Sequence, residues 1–212
     1  MLQLIYAGQY FLFTAMLLAI IFSLTLHEYG HAASAWLLGD STAQQQGRLT
    51  LNPVAHIDPL GLLMVIFIGF GYAKPVPTNP SRIRHSWGNA AVAAAGPGMN
   101  LLLAVVSINW LQYLVMGNNP GESTPIILFL SLMAQINLLL MLFNLLPFGP
   151  LDGHYIMSWL LPTSMRYQYD YYNNRYGAQL FLLLIILSIF GVPIFSFVMN
   201  LSQTLLPYLL IF

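Results

Sequence analysis

An all-α polytopic membrane protein is the predicted fold class, and three observations predict it. Hydrophobic residues make up 58% of the 212 residues and charged residues only 6%, whereas soluble proteins average roughly 25% charged. Long apolar stretches recur at 10–38, 88–116 and 126–146, each reaching the ~20 residues that a spanning helix needs. All six Lys and Arg residues lie outside those stretches. The same composition excludes several classes. A net charge of zero leaves no basic face for nucleic acid, and this much apolar content excludes a disordered chain. The absence of cysteine removes disulfides, thiol catalysis and zinc–cysteine sites.

The first stretch, Tyr10 to Leu38, stays apolar until His27, Glu28 and His31. Met1 to Gln9 carry no Lys or Arg, so a cleaved signal peptide is not expected. Residues 39–60 are polar and turn-rich, and Gly47 to Leu51 have a short-strand pattern. Leu60 to Tyr72 is apolar but too short to span and contains Gly61, Gly69 and Gly71, which predicts a re-entrant or interfacial element. This 47–72 region, a short β/re-entrant element, is expected to offer a strand edge or a wall to which an extended segment can add. Lys74 to Arg84 is a polar, Pro-rich loop. The second stretch is Ala-rich and interrupted by Gly96-Pro97-Gly98; Asn118 to Pro125 reads as a tight turn carrying Glu122; the third stretch loses helical character at Pro147, Gly149 and Pro150. After a polar, Tyr-rich segment (Tyr167 to Tyr176), residues 177–212 are expected to supply one or two further transmembrane helices, with Gly191-Val192-Pro193 as the break. The chain therefore reads as a single membrane-embedded domain, residues 1–212, with a three-helix core at 10–165 and C-terminal helices at 177–212. Arg48, Lys74, Arg82, Arg84, Arg166 and Arg175 all fall in loops, those of the Tyr-rich segment included, that this arrangement places on one side. The positive-inside bias makes that side the cytoplasm and puts the N-terminus outside.

Ionisable groups within a span are costly and need a reason. His27-Glu28-Tyr29-Gly30-His31 is the H-E-x-x-H pattern. Residues four apart share a helix face, so the two imidazoles can meet one metal ion, with Glu28 close enough to take a proton from water at that metal. Chance occurrence in a chain of this length is on the order of one per cent. At about 1.5 Å per residue the pair lies about 16 Å from the cytoplasmic end of its helix. Two histidines leave a catalytic site incomplete, since three protein ligands are usual. Asn144-Leu-Leu-Pro147-Phe-Gly-Pro150-Leu-Asp152-Gly153-His154 unwinds the third helix at about the same depth. Unwound backbone is tolerated there only beside protein or a wet cavity, and Asp152 offers the missing carboxylate. Two histidines and a carboxylate suit zinc and, in another geometry, iron(II).

These residues carry a resemblance. H-E-x-x-H at 27–31, G-P-x-x-N at Gly96 to Asn100, and N-x-x-P-x-x-x-L-D-G at Asn144 to Gly153, in that order and each near a span, resemble the site-2 protease family of intramembrane zinc metalloproteases. The loop from Gly47 through Asn52-Pro53 and His56-Ile-Asp58-Pro59 to Lys74-Pro-Val-Pro77 is similar to the compact prokaryotic branch, without a PDZ or nucleotide-sensing domain. The resemblance covers residues 10–165. It implies a three-helix catalytic core, one Zn2+ per chain held by His27, His31 and Asp152, and Glu28 as general base. It also implies Asn144 and Asn100 as polar partners of the substrate backbone or oxyanion. The implied substrates are membrane-tethered regulatory proteins cut in or near a transmembrane segment, at a site toward the cytoplasmic side of a prokaryotic cell membrane.

His154 and His56 are candidates for the shell behind the ligands, His154 also as a cytoplasmic-rim residue and His56, with Asp58, as loop structure. Gln135 and Asn137 are expected to make interhelical hydrogen bonds. Rival chemistries fit poorly. Glu122, the one other Glu, sits in the opposite loop; no G-x-S-x-G elbow exists; and Tyr169-Asp170 with Leu38-Gly39-Asp40 miss the aspartyl pattern at Leu37. The surviving alternative is a non-proteolytic metal-binding channel or transporter subunit. It differs in predicting that function survives Glu28→Gln.

Overall fold

The computed structural model describes residues 1–117 and 124–211; the turn assigned to 118–125, with Glu122, lies largely outside the described residues. A short α1 (Leu2–Tyr6) precedes α2 (Tyr10–Leu37). Then come α3 (Thr42–Gln45), α4 (Pro59–Ile68), α5 (Gly88–Gly117), α6 (Thr124–Asn144), α7 (Asp152–Leu160), α8 (Thr163–Ile189) and α9 (Ser196–Leu205). Among the described residues three helices, α2, α5 and α6, are long and apolar enough to cross a membrane, as the composition predicts.

The three pack on one another with α5 in the middle, where it also meets α7. In lipid there is little hydrophobic drive to associate helices, so close approach and interhelical hydrogen bonds must hold them. Both are present. The interfaces are lined by small buried residues, among them Ala15, Ala19, Ala32 and Ala35 of α2, Ala90, Ala93 and Ala104 of α5, and Ala134 of α6. Gly30 marks the tightest crossing of α2 on α5: a Cβ there would stand 2.7 Å from the Ala95 carbonyl oxygen. Asn137 of α6 donates to Ser23 Oγ of α2 (2.8 Å) and accepts from Asn100 of α5 (2.8 Å), so one wholly buried polar knot joins all three spans. Gln135 bonds instead to Ser202 of α9 at 2.9 Å. Both residues thus make the interhelical bonds expected of them.

The segment between α2 and α5 is re-entrant in form. Asp58 caps α4 by accepting from the N–H groups of Leu60 and Gly61, both at 2.9 Å. At ten residues α4 is about 15 Å long, half a span. It ends at Gly69, whose φ of +89° turns the chain back. The return runs so close that a Cβ on Gly61 would lie 2.0 Å from the Tyr72 carbonyl oxygen. Lys74 N–H then reaches His56 O at 2.8 Å, which brings the segment back to the level at which it left.

The β part of the expectation contracts. Gly47 to Leu51 form turn rather than strand, and pairing among the described residues is one isolated antiparallel bridge, Ile57 with Ala73. Prolines at 53, 59, 75 and 77 remove the donors that a ladder would need. Arg48 takes the carbonyls of Lys74 and Pro75 (2.5 and 3.0 Å), and the His56 ring takes that of Thr50 (2.8 Å). What remains for an added segment is a re-entrant wall, not a strand edge.

The C-terminal third also differs. The Tyr-rich segment is not a loop but the first half of the continuous α8. Gly191 (φ +92°) and Pro193 do break the chain, and α9 follows, packed on α6. Neither α8 nor α9 matches the core spans in length and apolarity: the apolar part of α8, residues 177–189, covers about 20 Å.

The crossing at Gly30 yields a test. Gly30→Ala should cost about 1–3 kcal/mol of unfolding free energy in detergent micelles, because backbone must move. Gly98→Ala, with nothing within 4 Å of the added carbon, should be neutral or stabilising by up to about 1 kcal/mol.

Candidate metal centre

Because side chains four apart stack along a helix, α2 presents His27 and His31 together, with ring centroids 4.7 Å apart. Both face α5 at Gly96, where no side chain stands in the way. A Cβ on Gly96 would lie 2.3 Å from His31 Nε2 and 2.7 Å from His27 Cε1. Asn100, one turn further along α5, accepts a hydrogen bond from His27 Nδ1 through Oδ1 at 2.6 Å. Its amide orientation is set by its other partners: Nδ2 donates to Asn137 Oδ1 (2.8 Å) and Ser23 O (3.4 Å). His31 Nδ1 donates to Val92 O at 2.7 Å.

Each imidazole therefore keeps its proton on Nδ1 and turns the Nε2 lone pair to the same point. The two Nε2 atoms are 3.0 Å apart. Asp152, the first residue of α7, completes the group, with Oδ2 3.2 Å from His27 Nε2 and Oδ1 3.4 Å from His31 Nε2. One ligand atom from each of the three residues lies within 4.8 Å of the others. Asp152 Oδ2 is buried without a hydrogen-bond donor. Two imidazole lone pairs facing each other and a carboxylate repel unless a cation stands between them. The donor set, two nitrogens and a carboxylate oxygen, is one that suits a catalytic zinc ion.

Asp152 reaches this point because the link 145–151 is not helical. Pro147 and Pro150 cannot continue the α6 ladder, Gly149 turns with φ +68°, and Gly153 lies flat on the end of α6. A Cβ on Gly153 would be 2.3 Å from Leu145 O.

Glu28 is buried beside the histidines, and its Oε2 accepts the Val76 N–H at 3.1 Å. Val76 belongs to an extended strap held on both sides. Arg48, itself buried, takes the two preceding carbonyls. Asp40 accepts from Asn79 N at 2.6 Å. Burial works to raise the Asp40 pKa, but the N–H groups of Asn79 and Thr42 and the Thr42 hydroxyl outweigh it and hold this carboxyl below its usual range.

The remaining predicted residues fall elsewhere. Asn100 stands behind His27, wholly buried, and its amide is taken up by the His27 ring, Asn137 and Ser23 O. Asn144, half-buried at the end of α6, bonds back to Leu140 O at 3.0 Å. His154 points to α8, its ring against Tyr169 and its Nε2 3.9 Å from Asp170 Oδ1. His56 is buried in the 47–77 loop, bonded to Thr50 O. Sequence reasoning missed Gly96, Ser23, Arg48 and the Val76 amide. Only Gly96 had a legible signal, since Gly96 and Asn100 repeat on α5 the four-residue spacing of the histidines.

Comparison with known proteins gives the family. The model of Peptidase family M50 matches residues 114–188, which include Asp152. Over 188 residues the chain is 38% identical to YwhC of Bacillus subtilis strain 168, a protein named as a candidate zinc metalloprotease, covering 87% of this chain and 83% of that one. It is 35% identical over 145 residues to the similarly named Rip2 of Mycolicibacterium smegmatis, covering 63% of this chain and 52% of the relative. To Rip2 of Mycobacterium tuberculosis it is 31% identical over 159 residues, covering 70% and 57%. No solved structure matches.

The packing around the histidines sets two expectations for metal content measured on detergent-purified protein. Gly96→Ala should displace both rings and lower zinc well below one per chain, while Gly98→Ala leaves it intact. Asn100→Ala should weaken zinc about 10- to 100-fold by freeing the His27 ring.

Proposed function

The chain belongs to peptidase family M50, the site-2 protease family, and is a zinc metalloprotease of the membrane; on that premise we propose that it hydrolyses peptide bonds in or near transmembrane segments of membrane-tethered regulatory proteins. In this reading His27, His31 and Asp152 hold the zinc and Glu28 is the general base. The observation that carries it is the meeting of three donor atoms from α2 and α7 within 4.8 Å, with a buried carboxylate one residue from the first ligand.

When bound, zinc supplies Lewis acidity, acidifying water and polarising a carbonyl oxygen. Glu28 Oε2 takes the proton from the attacking water and delivers it to the leaving amine. The Val76 N–H fixes the rotamer of Glu28 for that task, since the bond spans 48 residues of sequence. Asn100 and Val92 O hold the imidazoles in the tautomer that leaves Nε2 free. The surrounding helices limit access of bulk water, which strengthens each of these electrostatic contacts.

Depth supports an intramembrane substrate. His27 lies ten residues before the end of α2, about 15 Å along the helix, so a bond cut here comes from within or beside a spanning segment. The re-entrant α4 gives such a segment an apolar wall, with Leu60, Leu63 and Phe67 all exposed. For orientation we propose the site toward the cytoplasm and α1 outside. Arg48, Lys74, Arg82 and Arg84 crowd the connection between the site-bearing ends of α2 and α5, where the positive-inside bias puts the cytoplasm. The chain acts as one unit in this reading, α9 and the final turn being packed on α6 and α5.

Glu28→Gln should keep one zinc per chain and lower hydrolysis of a transmembrane-segment substrate by several powers of ten, while Asp152→Ala should bind zinc much more weakly, holding it only in excess metal, and lose activity. Activity within tenfold of wild type in Glu28→Gln would remove Glu28 as the base.

A further inference from the structure

The position of Asp152 depends on the link 145–151, and that link has few hydrogen bonds of its own. Leu145, Leu146 and Phe148 find acceptors at Met141, Phe143 and Leu146, and the two prolines have no N–H to give. Leu151 O accepts the His154 N–H at 3.1 Å, and three further groups, Pro147 O and both sides of Gly149, are met from α8. Asn173 pairs with both sides of Gly149: the Gly149 N–H donates to Asn173 Oδ1 at 2.9 Å, and Asn173 Nδ2 donates to Gly149 O at 3.2 Å. This reciprocal pair fixes the link as a strand partner would. One turn earlier on α8, the Tyr169 hydroxyl donates to Pro147 O at 2.5 Å. Burial, with Asp170 adding to it, pushes the Tyr169 phenol up to about 12, so it remains a donor.

The backbones meet closely at this point. A Cβ on Gly149 would be 3.0 Å from Phe181 Cβ and 3.2 Å from Gly177 O, and one on Gly177 would be 3.1 Å from Gly149 Cα. Tyr169, Asn173, Gly177 and Phe181 follow helical spacing, so a single face of α8 lies along the link. Ser158 Oγ donates to Asp170 Oδ2 at 3.0 Å and ties α7 to the same face. Asp152 thus sits between two pinned glycines, Gly149 held by α8 and Gly153 by the end of α6. Metal–ligand bonds tolerate only about 0.2 Å of error, so a held link is what a well-placed carboxylate ligand requires.

We infer that Asn173 is a positioning residue for the Asp152 carboxylate, acting through the backbone of Gly149, with Tyr169 supporting it through Pro147. The inference rests on the reading of Asp152 as a zinc ligand. Neither side chain is a ligand. Both shape the site from a helix that lies outside the three-span core.

The test is zinc affinity of the full chain in detergent, by competition with a chromophoric chelator. The variants are Asn173→Ala, Tyr169→Phe, Asp152→Ala and the Asp152→Ala/Asn173→Ala double. Asn173→Ala should weaken zinc about tenfold or more, in the range of losses caused by removing the partner of a metal ligand, and Tyr169→Phe should weaken it less. In the Asp152→Ala background the Asn173 change should have no further effect, because the ligand it positions is gone. Wild-type affinity in Asn173→Ala, or equal losses in both backgrounds, would overturn the inference, the second outcome marking a general loosening of the fold. If Asn173→Ala does not yield monodisperse protein, Tyr169→Phe alone and combined with Asp152→Ala decides by the same comparison. Wild-type affinity in Asp152→Ala would overturn the ligand assignment and the inference with it, whereas weakened Asp152→Ala beside unchanged Asn173→Ala overturns the inference alone.

Discussion

Two imidazole nitrogens 3.0 Å apart, both turned toward a carboxylate, are the constraint on which the rest of this molecule depends. Neither nitrogen can turn away, because each ring's other nitrogen is committed to α5, one to Asn100 and one to Val92 O. The arrangement repels itself without a cation. Features that look unrelated in sequence serve to hold it: the absent side chain at Gly96, the close crossing at Gly30 and the unwound link to Asp152. Each brings backbone or a ligand nearer than ordinary helix packing allows.

Placing such a group within a bilayer is expensive unless each polar atom finds a partner. Ser23, Asn100 and Asn137 settle this by bonding to one another across α2, α5 and α6. The knot joins the spans where apolar surface gives little drive to associate, and it fixes the tautomer of His27. Stability and chemistry are carried by the same atoms here. Around Glu28 the construction differs: a strap of backbone, clamped by Arg48 and Asp40, supplies one N–H to its carboxylate.

The spans, the re-entrant segment and the donor triad were legible in the sequence because each has a strong local signature: run length, apolar content bounded by glycines, and histidines at helical spacing. Long-range pairings left none. Nothing near Arg48 shows that it grips carbonyls 26 and 27 residues away. The G-P-x-x-N motif gives the place of Asn100 in the chain, not its hydrogen-bond partners, so its bond to the His27 ring left no sign in the sequence. The first half of α8 was read as a loop because its tyrosines and charges lower its hydropathy. Tyr169, Asn173 and Gly177 nevertheless keep helical spacing, and that periodicity was the available signal. The short strands expected at 47–51 rested on local pattern and overlooked that the opposing segment is rich in proline.

X-ray absorption at the zinc edge of the detergent-purified chain is the most direct test of the convergence of His27, His31 and Asp152 on one ion. The account predicts one tightly held zinc with two imidazole nitrogens and oxygen ligands at about 2.0–2.2 Å, and loss of a carboxylate oxygen in Asp152→Ala. A site with one or three imidazoles, or folded protein that retains no zinc, would contradict it.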